Sequence, residues 1–432
     1  MRIAIIGSGI AGLSAAWRLS QDHEVTIFEK FGHLGMDAHS LDVRGEGGNA
    51  RVDVPMRVFF DGFYPTLTAL YRELGIEFRP VNYSASFGEL HDGTYFRYHN
   101  YKFAGLSVPF LKGSGALKGK SLRIGWEILR FFRRSRQSLA QGISDDTTLA
   151  RYLQENGYSR EFAEGFLYPA FSGICTCSQE SIRAYPARVI LEYLSSGLLF
   201  SSVQRVTRGT QEVVERLARG VHQVNLHAPV EGIVRGDAGV DVLTAGGRPT
   251  FDHVVIATQA NQAGRILRDA SPDERRLLAS FSYEPSRVVM HRDANLAPPG
   301  GPRAWAPVNF LLSDPAAAPM ATIWMNAIQA IPGTGPVFQT WNPLIVPEPS
   351  LVLGEAHFER PVVNRESLRG LELLSRLHRE EHRRIWFCGS YAGHGIPLLE
   401  SATTSALAVA ERLGCRRPWG TAKRPVHEAV PG

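Results

Sequence analysis

The glycines and the acid nearest the N-terminus are the residues whose types and spacing point most directly to chemistry. Gly7-Ser8-Gly9-Ile10-Ala11-Gly12 follows the apolar run of residues 2–6, and residues 13–20 then read as a helix. Residues 24–29 (Glu24-Val25-Thr26-Ile27-Phe28-Glu29) read as a second strand ending on a carboxylate. Gly7 permits a tight turn, Gly9 lets backbone approach a pyrophosphate, and Gly12 lets the helix pack closely on the strand. The helix N-terminus, at Ile10 and Ala11, offers unpaired N–H groups and partial positive charge to phosphate. Glu29, 22 residues after Gly7, is placed to accept hydrogen bonds from ribose hydroxyls. Strand, glycine turn, helix, strand and acid together predict a dinucleotide site.

The other reactive side chains signal less. Cys175-Thr176-Cys177 lacks a helix-start context and reads as buried thiols. Four cysteines without paired histidine spacing predict no metal site. Six lysines, Lys30, Lys102, Lys112, Lys118, Lys120 and Lys423, leave residues 121–422 without one. Residues 113–119 imitate a second phosphate loop, but no strand precedes them, so they read as a flexible loop and predict no second nucleotide domain. Between Lys102 and Arg136 stand nine basic residues and one acid, Glu127. Residues 121–134 mix large apolar side chains with arginine at helical spacing. Such a helix either presents a solvated basic face over a buried stripe or lies on an anionic membrane surface with snorkelling arginines. No nucleic-acid motif accompanies the charge, and none is expected to bind.

These residues need a large scaffold. The chain has 432 residues, 44% of them apolar and 21% charged, with a net charge of +5. Those values exclude a fibre and a disordered chain. No run approaches the roughly eighteen apolar residues of a membrane span, and no signal peptide is visible. Four cysteines predict a reducing cytoplasm, with peripheral membrane contact through residues 102–136 as the alternative address. Residues 147–203 read as mostly helical and 286–359 as strands broken by Pro and Gly, while 415–432 reads as a loose tail.

Beyond the glycine loop, several separated segments carry a family likeness. Glu29-Lys30-Phe31-Gly32-His33-Leu34-Gly35-Met36 resembles the acid and Leu-Gly-Gly segment of the flavin amine oxidase superfamily. Residues 224–230, ending at Val230, resemble its adenine-touching strand, and residues 252–258, ending at Thr258, its strand returning to the nucleotide domain. Residues 385–390 (with Gly389 and Ser390) and 396–406 (with Leu398 and Glu400) resemble the strand and helix that close over the flavin. Residues 62–75, 323–329 and 338–343 resemble, more closely, bacterial amine oxidase-like NAD/FAD-binding oxidoreductases associated with cyclopropane fatty-acid synthases. This chain has Met36, Thr210 and Ser390 where the pattern has glycine, glycine and an acid.

The resemblance implies an α/β fold: an FAD-binding, Rossmann-like domain from 1–75, 205–262 and 384–414, and an interleaved α+β substrate domain from 76–204 and 263–383. It implies non-covalent FAD held by Gly7, Gly9, Ile10, Ala11, Gly12, Glu29, Lys30, Gly35, Met36, Val230, Thr258, Gly389, Ser390, Leu398 and Glu400. The loop of residues 390–395 would face the flavin, making His394 and Tyr391 the catalytic candidates, while His39 reads as structural. Trp305, Phe310, Trp324, Phe338 and Trp341 are candidates for a pocket lining or for core. Many amine oxidases of the superfamily place a lysine in the sheet near the flavin, which this chain lacks. The leading expectation is therefore an oxidoreductase that desaturates an apolar, acidic, lipid-like molecule or shifts its double bond. Amine or amino-acid oxidation releasing hydrogen peroxide is the alternative. A third reading is a non-catalytic binder of prenylated partners, as in GDP-dissociation inhibitors of this fold.

Overall fold

The computed structural model describes residues 1–90, 93–103, 106–112, 119–197, 201–331, 333 and 335–419. Of the loop expected at 113–119, residues 113–118 lie outside them and Gly119 instead begins a helix, and most of the expected tail also lies outside them. Residues 415–419 are not loose: Trp419 stacks on Trp17 at 6.3 Å, and Arg18 donates to the Arg416 carbonyl. The large apolar surface of one indole against another accounts for that docking.

One sheet holds the N-terminal motif. Its five strands run in the order Gln223–Asn225, Glu24–Phe28, Arg2–Ile6, His253–Ile256 and Ile385–Phe387. Every pairing is parallel. Ile3, Ala4, Ile5 and Ile6 are all buried, as expected of a central parallel strand covered on both faces. The helix Ile10–Leu19 (α1), rich in Ala and Leu, is buried along its whole length and packs on the C-terminal helix Leu399–Arg412.

A second, eight-stranded sheet begins with Val352–Pro361, Tyr283–His291, Phe338–Trp341 and Met320–Trp324, and continues through Val308–Leu312, Ala85–Glu89, Gly93–Phe103 and Leu106–Leu111. Its last three strands were not expected from sequence, because aromatic and polar residues share both faces of Gly93–Phe103 and blur the alternation. Short helices between Leu149 and Ser195 form a layer against this sheet. The helix Pro65–Glu73 (α2) packs on the C-terminal helix, and the long helix Gly119–Gln141 (α3) lies across the helical layer. The protein is thus α/β, with a parallel sheet beside a large mixed one. Among the described residues, no helix is long and apolar enough to cross a membrane.

Candidate active site

The glycine loop is built by close approach. A Cβ on Gly12 would lie 1.9 Å from the Gly7 carbonyl oxygen, so only hydrogen fits there. Gly7 has φ +92°, a conformation that side chains disfavour. A Cβ on Gly35 would stand 2.9 Å from the Ser8 carbonyl, and its N–H donates to Ser8 Oγ at 2.7 Å. Glu29, buried at the end of its strand, accepts from Ser8 N at 3.0 Å and from Phe31 N at 3.0 Å. Ser8 Oγ also donates to it, at 2.5 Å. In this structure the acid therefore anchors the loop through both of its carboxylate oxygens. Its backbone carbonyl accepts from Ala228 N at 2.8 Å, which brings the Val230 segment alongside.

These residues fit a dinucleotide. The first turn of α1 has no side-chain cap and no acid, leaving its N–H groups for an anion. A Cβ on Gly9 would meet nothing within 4 Å, so the backbone there borders open space. Gly9, Ile10 and Ala11 line a cavity of about 840 Å³, together with Thr258, Gly389, Ser390 and Leu398. Leu398 is the uncapped N-cap of the C-terminal helix, so a second helix N-terminus meets the same cavity.

Several expected contacts lie elsewhere. Gly7 and Gly12 shape the loop from behind. Lys30 stands over the Phe31 ring at 4.8 Å, and Met36 is buried in the main core. The Glu400 carboxylate accepts from Thr66 N and Leu67 N, both at 2.9 Å, and so caps α2. Burial raises its pKa, because a desolvated carboxylate loses hydration. His39 packs between Phe31 and Phe358.

Neither catalytic candidate is suited to that role. His394 is exposed and is not part of the cavity wall. Tyr391 lines the cavity, but its ring packs on Phe281 at 4.8 Å and burial pushes its phenol well above the ordinary value. A phenol so displaced is a poor proton acceptor near neutrality. All four cysteines are free and buried, and burial pushes the Cys388 thiol up to about 12. No metal cluster occurs among the described residues.

The cavity wall is mostly aromatic and aliphatic. Phe310 and Trp341 line it, whereas Trp305, Trp324 and Phe338 form a separate cluster. Sequence reading missed Phe59, Phe60, Phe87, Phe171 and Tyr193, which come from segments with no motif. It also missed Arg57 and Arg360, the only cations of the wall among the described residues. Burial lowers both; Arg360, with Arg57 nearby, falls to about 10 and remains charged at neutral pH. Its Nε is buried without a hydrogen-bond partner. An arginine inside the apolar run Val54–Phe60 was the one available signal. No carboxylate, histidine, lysine or thiol lines the wall among the described residues.

Comparisons with known proteins agree with this architecture. A 4,4'-diapophytoene desaturase (4,4'-diaponeurosporene-forming) of Staphylococcus aureus is 42% identical over 87 residues, or 19% of this chain and 17% of that protein. The match therefore spans under a fifth of the curated relative's length. The structure of a CLA-producing fatty acid isomerase from P. acnes superposes with a TM-score of 0.66 at 15% identity, covering 95% of this chain and 98% of that one. Putrescine oxidase bound to putrescine superposes with a TM-score of 0.59 at 13% identity, covering 96% and 100%. At such identities these likenesses establish the fold. The family model for flavin containing amine oxidoreductases matches residues 10–324, and with the glycine loop, the two helix N-termini and the cavity they share, it makes this chain a member of that family.

Proposed function

We propose that the substrate is a long apolar molecule with an acidic end, and that the reaction desaturates its carbon chain or shifts a double bond. The observation that carries this reading is the cavity wall: large, aromatic and aliphatic, with two arginines and no general base among the described residues. When bound, FAD supplies a hydride acceptor. The backbone N–H groups of Ile10 and Ala11 would hold its diphosphate, without a covalent link, and the N-terminus at Leu398 would favour negative charge nearby.

The wall itself orients and dries the substrate. Phe87 and Phe310 stack at 4.9 Å and, with Trp341, flank a slot suited to a hydrocarbon chain. Exclusion of water there strengthens the attraction of Arg57 and Arg360 for a carboxylate. Net desaturation must also release a proton. Besides neutral hydroxyls and amides, the described wall offers that proton guanidiniums and phenols, of which Tyr83 is pushed up to about 12 and Tyr64, Tyr98 and Tyr193 higher still. Moving a double bond involves no net proton loss, so isomerisation suits this wall better than desaturation. Amine oxidation is further disfavoured by the absence of lysine from 121–422.

Mass spectrometry of a polyunsaturated fatty acid incubated with the purified flavoprotein tests the proposal. The expected product has an unchanged mass and a displaced double bond, or is lighter by two hydrogens. Unaltered lipid, with hydrogen peroxide formed from a primary amine, would overturn it.

A further inference from the structure

The long helix α3 carries an apolar stripe on its outer side. Leu122, Trp126 and Leu129 are spaced by four and three residues, so they share one face, and Arg133 and Arg136 continue it. The opposite face is occupied by Ile124, Glu127, Phe131 and Ser135, all buried against the protein. Glu127 fixes that orientation by accepting from Ser159 N at 2.9 Å. The outer stripe is therefore not core. Trp126 is 61% exposed, Leu129 57% and Leu122 48%, and Phe110 on the adjacent strand Leu106–Leu111 is 56% exposed.

The same residues form one end of the cavity. Leu122, Trp126 and Leu129 line it at α3, and Gly9 and Gly389 line the same cavity at the cofactor end. An exposed apolar stripe is thus continuous with an apolar interior. The charge beside it has one sign. Lys120, Arg123 and Arg130 are engaged by Glu89, Glu161 and Glu127. Arg133, Arg134 and Arg136 are exposed and form no ion pair among the described residues; Arg136 lies over the Phe132 ring at 4.9 Å.

We propose that this face docks on an anionic lipid bilayer and that the cavity opens there, so that substrate passes from the leaflet into the protein without crossing water. Indole and leucine side chains enter the boundary between headgroups and acyl chains, while arginines meet the anionic headgroups. Charge complementarity selects a membrane over a second copy of this chain, since two such faces would bring two sets of arginines together. The route into the cavity rests on the lipid reading above, whereas the docking does not.

Flotation of the full-length flavoprotein with vesicles separates the two. Vesicles of phosphatidylcholine containing phosphatidylglycerol should carry the protein upward, and phosphatidylcholine alone should carry far less. Trp126→Ser with Leu129→Ser should reduce partitioning at least roughly tenfold. Charge reversal of Arg133, Arg134 and Arg136 should reduce it by at least about tenfold and remove its salt sensitivity. Circular dichroism matching the parent confirms that the variants fold. Equal flotation of parent and variants would overturn the docking, as would a concentration-dependent dimer that Trp126→Ser abolishes. Turnover of detergent-dispersed lipid, seen by mass spectrometry as a displaced double bond or a loss of two hydrogens, is read separately. Flotation without it would uphold the docking and overturn the lipid chemistry, and the reverse pattern would do the opposite.

Discussion

Gly9 and Gly12 lie three residues apart, yet the structure asks different things of them. A Cβ on Gly12 would collide with the Gly7 carbonyl oxygen at 1.9 Å, while one on Gly9 would meet nothing within 4 Å. Gly12→Ala should therefore destabilise the fold by about 1–3 kcal/mol, read as a lower melting temperature of the flavin-free protein. Gly9→Ala should leave that temperature unchanged and weaken flavin retention instead. Equal melting losses in both would contradict the assignment. A second residue-level prediction concerns pH. His291 is fully buried, accepts from Asp293 N at 3.2 Å, and stands 2.7 Å from Thr340 Oγ1. Burial holds it neutral and pushes its pKa down to about 4, against the opposing pull of Asp293. Between about pH 6.5 and 4 the unfolded chain binds this proton and the folded chain does not. Its stability contribution is thus complete above that window and lost as pH falls through it. Denaturant titrations should show His291→Gln losing roughly 3 kcal/mol less than the parent across that interval. Parallel profiles would refute it. The glycine loop was legible in sequence because turn geometry leaves few alternatives to glycine. Glu400 was not, because only the folded chain brings α2 to its carboxylate.

At the level of elements, α3 shows what helical spacing can and cannot say. The pattern in residues 121–134 predicted a helix, and α3 spans Gly119–Gln141. Which side faces inward was undetermined, since large apolar side chains occur on both faces, Ile124 and Phe131 on the buried one and Leu122, Trp126 and Leu129 on the outer one. A buried acid decides it: Glu127 holds the N-terminus of Arg160–Phe162 through Ser159 N and Oγ. Glu127→Ala should cost about 1–3 kcal/mol by leaving those donors unpaired. Hydrogen exchange should quicken selectively along α3 and around Ser159, whereas a uniform increase would contradict a local anchor. The strands Ala85–Glu89, Gly93–Phe103 and Leu106–Leu111 were illegible for a complementary reason. Their side chains face the cavity on one side and solvent or helices on the other, so aromatic and polar residues mix and the period of two fades.

Across the whole molecule, the cavity is lined from both sheets, and Asp53 ties the segment from Arg205 to Thr210 to the large sheet. Asp53 accepts from Thr210 N at 2.9 Å and from Arg205 at 3.2 Å, while its own carbonyl accepts from Gln339 in the large sheet. Thr210 departs from the family's glycine, and its hydroxyl adds another bond to Asp53 at 2.9 Å. Replacing Asp53 by Ala would leave Arg205 buried and unpaired, and should cost about 3–5 kcal/mol. An unchanged denaturant midpoint would show that the junction does not carry the fold. The motifs announced a flavin site from sequence alone, but the chemistry beyond it is set by a wall assembled from distant segments. The account therefore turns on which substrate the flavin acts on. The most direct measurement is the visible spectrum of the purified protein under anaerobic titration with a long-chain unsaturated fatty acid, and separately with primary amines. The account predicts a flavin band that denaturation releases into solution and that the lipid, but not the amines, perturbs or bleaches. Bleaching by amines alone, or a colourless protein that FAD does not reconstitute, would contradict it.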